Sequence, residues 1–136
     1  RYMAATKVMV DTNVVSYIMK GTKEAKAYVK HIDNRLVAVS FVIVGELYYG
    51  AENRNWGMEK RKMLENAIRN YVVVPYDHEI AKTFGKIVVE RQRQGLPISF
   101  HDAWIAACAV RHGVPIVTHN AKDFVNISGL KVITEQ

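Results

Sequence analysis

The chain has 136 residues, of which 49% are hydrophobic and 24% charged, and this composition is typical of one globular domain spanning residues 1–136. No apolar run approaches the roughly 20 residues of a membrane-spanning helix, and we see no apolar leader, so we expect neither membrane insertion nor secretion. The net charge of +6 is compatible with simple solubility and equally with a polyanionic partner such as nucleic acid.

The single cysteine, Cys108, excludes an internal disulfide bond. We therefore expect a reducing, cytoplasmic location, with Cys108 as a buried and inert thiol. Arg1 and Tyr2 precede Met3, and our hypothesis is that these two residues are an expression remnant.

Strand-like and helix-like segments alternate along the chain, which predicts an α/β fold with a mainly parallel central sheet flanked by helices. Thr12 or Asn13 is the predicted cap of the first helix, and Ser40, Asp77 and Ser99 are predicted caps further on. The predicted elements, in chain order, are a strand at Lys7 to Val10, a helix from Thr12 to Lys20, a helix from Thr22 to Ile32, a strand at Leu36 to Val39, a helix from Phe41 to Glu52, a helix from Asn55 to Asn70, a strand at Tyr71 to Val74, a helix from His78 to Gln94, a helix from Ser99 to His112, and strands at Pro115 to Thr118 and Lys131 to Ile133.

Four acidic residues stand at the borders or in the interior of apolar segments. Asp11 follows the first strand, Glu46 interrupts FVIVGELYYG, and Asp102 opens the helix in SFHDAWIAACAV. Asp123 lies in the polar turn after the fourth strand. Buried charges are costly unless they are paired or bind an ion. Each acid also has an ordinary interpretation, as a turn residue, a solvent-facing residue or a first-turn residue that the helix dipole favours.

These positions predict a metal site, because ligands of parallel α/β sheets bind beyond the carboxyl ends of the strands. Carboxylates with few histidines nearby favour Mg²⁺ or Mn²⁺, although His101 and His119 leave zinc open. A carboxylate-bound Mg²⁺ fits phosphoryl chemistry, with one ion or two. Clustered carboxylates repel one another, so we expect at least one raised pKa without metal.

The motifs together resemble the PIN-domain family, and most closely its VapC-type toxin ribonucleases, over nearly the whole chain. VMVDTNVVSYIMKG resembles the first acidic motif of the family, VIVGELYYGAE the second and GLPISFHDAWIAACA the third. The chain departs from the family at Asn120, where many PIN domains have a fourth acid two residues after the threonine that ends the fourth strand. The nearest acid is Asp123.

The resemblance implies a PIN-like three-layer fold and a Mg²⁺- or Mn²⁺-dependent endoribonuclease that cuts RNA, with tRNA as the expected substrate, to block translation. It also implies a homodimer that is neutralised by a cognate antitoxin protein. Asp11 and Asp102 would ligate the metal directly, and Glu46 would act through water. Asp123, helped by Asn120, would complete the site or hold a second ion. The candidates that would orient these carboxylates are Thr12, Asn13, Ser40 and Thr118.

A basic rim is the second predicted feature, since nucleic-acid binding depends on phosphate contacts. For each of these cations alone, a solvated helix face is the simpler interpretation. Tyr49 and Trp56 are candidates for stacking on bases or for contact with a protein. The RNA-binding candidates are Lys60, Arg61, Lys62, Arg91 and Arg93.

Three other functions compete with this reading. An aspartyl-phosphate phosphohydrolase would need a second Asp at position 13, where this chain has Asn13. A degenerate PIN fold that binds RNA or protein without catalysis is supported by the missing fourth acid. Ribosomal RNA or mRNA could replace tRNA as the substrate of the same chemistry.

Overall fold

The computed structural model describes residues 7–136, and its five strands form one wholly parallel sheet in the order β3-β2-β1-β4-β5. Six α-helices connect and surround these strands in the described part of the chain, so the predicted α/β class with a parallel sheet is confirmed. The strands are β1 Lys7–Val10, β2 Leu36–Ser40, β3 Val72–Val74, β4 Ile116–Val117 and β5 Val132–Ile133. The helices are α1 Thr12–Lys20, α2 Lys23–Ile32, α3 Phe41–Asn53, α4 Met58–Ile68, α5 His78–Arg93 and α6 Phe100–His112.

The core lies around β1, the central strand. Val8, Met9 and Val10 are fully buried, as expected for a parallel strand that is covered on both faces. Helix α6 is also central, because every residue from 105 to 109 is fully buried. Three of those five residues are alanines, and small side chains let α6 pack closely against its neighbours.

Several predicted helix ends are confirmed by local hydrogen bonds. The side chains of Ser40, Asp77 and Ser99 cap α3, α5 and α6. Gly21 and Gly113 end α1 and α6 in the left-handed conformation, with φ of 64° and 66°, which glycine adopts without steric cost.

The predicted cap of α1 is wrong. Asp11, and neither Thr12 nor Asn13, is the N-cap, and its side chain accepts a hydrogen bond from the Thr12 amide. The reason is that β1 leads directly into α1, so Asp11 is the last extended residue and Thr12 is already helical. The helix predicted from Asn55 starts instead at Met58, because Asn55 has a φ of 53° and breaks the helix.

The sequence also predicts features of the first residues of the chain and of its relation to membranes. Residues 1–6 of the proposed 1–136 domain lie outside the described residues. They include Arg1 and Tyr2, so the expectation that these two residues are a remnant stays a prediction. Among residues 7–136, every helix is too short or too polar to cross a membrane.

Candidate active site

The carboxyl ends of β1 and β4 form the base of the site. The two strands are neighbours, and the Asp11 amide donates to the Val117 carbonyl at 2.9 Å. Thr118, the residue after β4, is fully buried and donates its hydroxyl to Asp11 Oδ2 at 2.8 Å. The Asn120 amide donates back to that hydroxyl at 3.0 Å. Thr118 therefore holds Asp11 in the way predicted for a supporting residue.

Asp11 is a buried carboxylate that feels the charges of two other acids. Its exposed fraction is 6%, and this burial is the main reason that its pKa is raised above the ordinary value for aspartate. Hydrogen bonds from Thr118 and from the Thr12 amide oppose the shift, while the charges of Asp102 and Glu46 add to it. A cation beside Asp11 would offset both the free-energy cost of burying its charge and the repulsion from the neighbouring acids.

Asp102 lies in the first turn of α6, where its amide donates to the Ser99 hydroxyl at 3.1 Å. Burial is again the largest cause of its raised pKa, with Ser99 and His101 opposing and the charges of Asp123 and Glu46 adding to the shift. The raised pKa expected for a carboxylate cluster is thus confirmed at two aspartates, although burial contributes more than the repulsion from which it was predicted.

Glu46 links three helices at this site. Its Oε1 atom accepts a hydrogen bond from the Thr12 hydroxyl of α1 at 2.5 Å and lies 3.1 Å from His101 Nε2 of α6. The Glu46 side chain on α3 is 39% exposed, so it faces the opening of the site. His101, one of the two histidines that left zinc open in the sequence, is therefore a direct partner of a candidate catalytic acid.

The remaining supporting candidates have different placements. Asn13 accepts a hydrogen bond from the His119 amide at 3.3 Å, which ties α1 to the segment after β4. Ser40 is a correction: its hydroxyl accepts from the Val42 amide and, at 3.5 Å, from Cys108 Sγ, so it caps α3 and does not orient a carboxylate. Cys108 is free and buried, as predicted.

The fourth position of the cluster lies in a short 3₁₀ turn, Ala121–Phe124, after β4. Asn120 precedes this turn and is exposed, whereas Asp123 is partly buried within it. Asp123 acts on the site through its charge, which raises the pKa of Asp102.

The predicted RNA-binding cations have three different placements. Arg91 is a correction, because it is 4% exposed and its guanidinium donates to the main-chain carbonyls of Leu96, Asp123 and Val125. It is an internal anchor and is not available to phosphates. Arg61 is held by Glu52 and by the Trp56 carbonyl. The other candidates, Lys60, Lys62 and Arg93, are exposed.

The sequence reading missed Tyr28, a fully buried residue of α2. Its hydroxyl lies 2.6 Å from His119 Nδ1 and accepts from the Glu135 amide at 3.2 Å. This contact fixes the segment that follows Thr118. A tyrosine on the apolar face of an amphipathic helix was the available signal, since buried tyrosine hydroxyls seek a hydrogen-bond partner.

The donor set fits a hard cation such as Mg²⁺, which prefers carboxylate oxygens and retains several waters. Within residues 7–136, no three acidic, histidine or cysteine side chains are close enough to share one ion. An ion held directly by Asp11 and Asp102, with the other acids acting through water, needs no such triple. Glu46 is engaged by Thr12 and His101, which agrees with an indirect role.

Comparison with known proteins gives a consistent assignment. The family model described as PIN domain matches residues 8–130. The tRNA(fMet)-specific endonuclease VapC of Shigella flexneri is 30% identical over 125 residues, which are 92% of this chain and 95% of that protein.

Solved structures show the same similarity. VapBC-1 from nontypeable Haemophilus influenzae matches with a TM-score of 0.81 and 29% identity, over 95% of this chain and 98% of that chain. A toxin-antitoxin complex from Klebsiella pneumoniae matches with a TM-score of 0.72 and 27% identity, over 93% of this chain and 96% of that chain.

Proposed function

The chain belongs to the PIN-domain family, and from this premise we propose that it is a Mg²⁺- or Mn²⁺-dependent endoribonuclease, the toxin of a toxin–antitoxin pair. The single observation that carries the proposal is the buried Asp11 carboxylate, whose pKa is raised by burial and by the charges of Asp102 and Glu46. A cluster of this kind at the carboxyl end of a parallel sheet is typical of a site that binds a cation and a phosphate ester.

In the proposed site, Asp11 and Asp102 would hold the cation, which when bound would act as a Lewis acid on the phosphate and would make a bound water more acidic. Thr118 and the Thr12 amide keep the Asp11 oxygens oriented. Glu46, on the exposed side, orients the attacking water and accepts its proton. The water oxygen bonds to phosphorus, the bond from phosphorus to the 3′ oxygen breaks, and that oxygen takes a proton. The products are a 5′-phosphate and a 3′-hydroxyl.

Substrate and partners are inferred from relatives. A VapC relative is named as a tRNA(fMet)-specific endonuclease, which supports tRNA as the substrate and a block of translation as the consequence. A similar chain is part of a toxin-antitoxin complex, which supports a cognate antitoxin. We also propose a homodimer, and a cytoplasmic location in which the free thiol of Cys108 stays reduced.

The test is cleavage of purified total tRNA with Mg²⁺, Mn²⁺ or EDTA. We expect discrete fragments from the wild-type chain with either metal and none with EDTA. Asp11→Asn and Asp102→Asn should lose cleavage. Asp33→Asn is the matched control, since Asp33 is exposed and follows α2, ahead of the amino end of β2.

Other outcomes point elsewhere. Fragments from ribosomal RNA or mRNA but not from tRNA would keep the nuclease and change its substrate. An absence of cleavage together with an absence of thermal stabilisation by Mg²⁺ or Mn²⁺ would reject the nuclease. The chain would then be a non-catalytic binding module, consistent with Asn120 at the position of the fourth acid.

A further inference from the structure

A groove of about 670 Å³ lies beside the candidate active site, between α1, α3 and α4, and its volume is within the range of ligand-binding clefts. Thr12 and Glu46 are part of its lining, so the groove includes one of the candidate catalytic carboxylates. On the basis of the proposed function, we propose that this groove binds an unpaired nucleotide of the RNA next to the scissile phosphodiester.

The walls of the groove offer surfaces on which a base can stack. Tyr49 on α3 is 69% exposed, and the Trp56 ring lies on the segment between α3 and α4. Both side chains line the groove. Stacking on an aromatic ring binds any base, because every base has a π face. The apolar residues that complete the lining are Met19, Leu47, Met63 and Leu64.

Three cations stand along the same groove, namely Lys20, Arg54 and Lys60. Lys60 Nζ lies 5.7 Å from the centroid of the Trp56 ring, so a positive charge and a stacking face occur together. Gly50 leaves room for Arg54, since a Cβ atom at Gly50 would lie 3.0 Å from the Arg54 guanidinium. Glu46, the candidate catalytic carboxylate, is the one acid of the lining.

This pattern favours an unpaired nucleotide over other occupants. A base in a duplex has its faces covered by its neighbours, whereas a loop nucleotide can insert a base between aromatic side chains. The phosphates on either side of that base would meet Lys20, Arg54 and Lys60. An antitoxin segment is the competing occupant, but it would have to be acidic to match these cations.

The test measures RNA binding separately from cleavage. The chain has two tryptophans, so a Trp104→Phe variant leaves Trp56 as the only tryptophan fluorophore. Trp104 stacks on Phe84 with ring centroids 4.0 Å apart, and phenylalanine keeps a ring there. The probes are an RNA hairpin with an unpaired loop and a blunt duplex of equal length. The binding measurements are made in the Asp102→Asn background, so that the RNA is not cleaved in Mg²⁺ buffer.

We expect the hairpin, and not the duplex, to quench Trp56 fluorescence. In filter binding, Trp56→Ala should weaken hairpin affinity about tenfold, and Trp56→Phe should restore most of it. Arg54→Gln should reduce the slope of log affinity against log salt concentration by about 0.7. Lys131→Gln is the matched control, because Lys131 is exposed at the amino end of the edge strand β5, whereas Asp11 follows the carboxyl end of the central strand β1.

The groove assignment is overturned if Trp56→Ala and Arg54→Gln bind the hairpin as tightly as the Lys131→Gln control does. A protein segment would then be the remaining occupant. Equal quenching by the duplex would reject an unpaired nucleotide. The two proposals fail separately. If Trp56→Ala cleaves tRNA as well as the wild-type chain does, the groove alone is rejected. Hairpin binding through Trp56 by a chain that cuts no RNA and is not stabilised by Mg²⁺ or Mn²⁺ rejects the nuclease alone.

Discussion

Arg91 is a buried cation, and its removal gives a sharp test of how the site is held together. Its Nε atom donates to the Leu96 carbonyl at 2.6 Å, and its Nη1 atom donates to the Asp123 and Val125 carbonyls at 3.1 and 3.0 Å. These carbonyls belong to the loop before α6 and to the turn that carries Asp123. We predict that Arg91→Met destabilises the fold and releases both segments.

The magnitude follows from the bonds that are lost. A hydrogen bond to a charged group contributes about 1.5–3 kcal/mol, and leaving a buried carbonyl without its donor costs about 1–3 kcal/mol. Methionine retains the apolar stem and the freed carbonyls reach water in part, so we expect a loss of about 3 kcal/mol. Arg91→Lys should lose about 2 kcal/mol, because one ammonium group cannot reproduce the geometry of the guanidinium fork.

The assay is urea unfolding, with Arg93→Met as the matched control. Arg93 lies in the same last turn of α5 and is exposed, so its replacement should change the free energy of unfolding by about 0.5 kcal/mol or less. If Arg91→Met and Arg93→Met agree within about 1 kcal/mol, the anchor is refuted. If Arg91→Met instead weakened RNA binding without changing the free energy of unfolding, the original prediction that Arg91 contacts phosphates would be supported.

Five further variants test the carboxylates and the helix geometry. The folded-state pKa values of Asp11 and Asp102 are raised. In the metal-free chain, the two protonated carboxyls therefore contribute fully to the free energy of unfolding below their unfolded pKa of about 4. This contribution is lost as the pH rises through the folded-state pKa. Asp102→Asn should therefore stabilise the metal-free chain more at pH 7 than at pH 4 in thermal melts, and Mg²⁺ should raise the wild-type melting temperature only at the higher pH; an equal effect at both pH values would refute this. Thr118→Val should cost about 1–3 kcal/mol and move the loss of Mg²⁺ binding to higher pH in titrations, whereas Thr118→Ser should behave as wild type. Gly113→Ala should cost about 1 kcal/mol, because φ is 66° there, whereas Gly85→Ala in α5, where a Cβ meets nothing within 4 Å, should gain about 0.5–1 kcal/mol; denaturant unfolding that shows the same sign for both glycines would contradict this.

The elements of the fold were readable from the sequence because they are local. Apolar runs such as Val8 to Val10 and capping residues such as Ser99 act within a few neighbours. The strand order β3-β2-β1-β4-β5 was not predicted, since it depends on packing between distant segments. The predicted helix from Asn55 began too early, because a single left-handed residue is invisible in a helical pattern.

The acidic residues of the site were likewise found from their apolar surroundings, but their partners were not. Glu46 meets His101 from 55 positions away, and no spacing rule connects them. Arg91 was misread for the same reason: its burial depends on carbonyls of two loops that follow it in the chain. Charged residues on an amphipathic helix are normally exposed, so only the folded arrangement could identify this exception.

Asp11 is both the N-cap of α1 and a candidate metal ligand. As the cap of α1, its Oδ1 atom accepts from the Thr12 amide, and its Oδ2 atom accepts from Thr118. An ionised carboxylate has about four acceptor positions, so these two hydrogen bonds use two of them and leave two free. An asparagine could still cap the helix, but it offers one oxygen, no charge and a donor toward Thr118. The cap alone therefore does not require the buried charge of Asp11, whereas the proposed cation would.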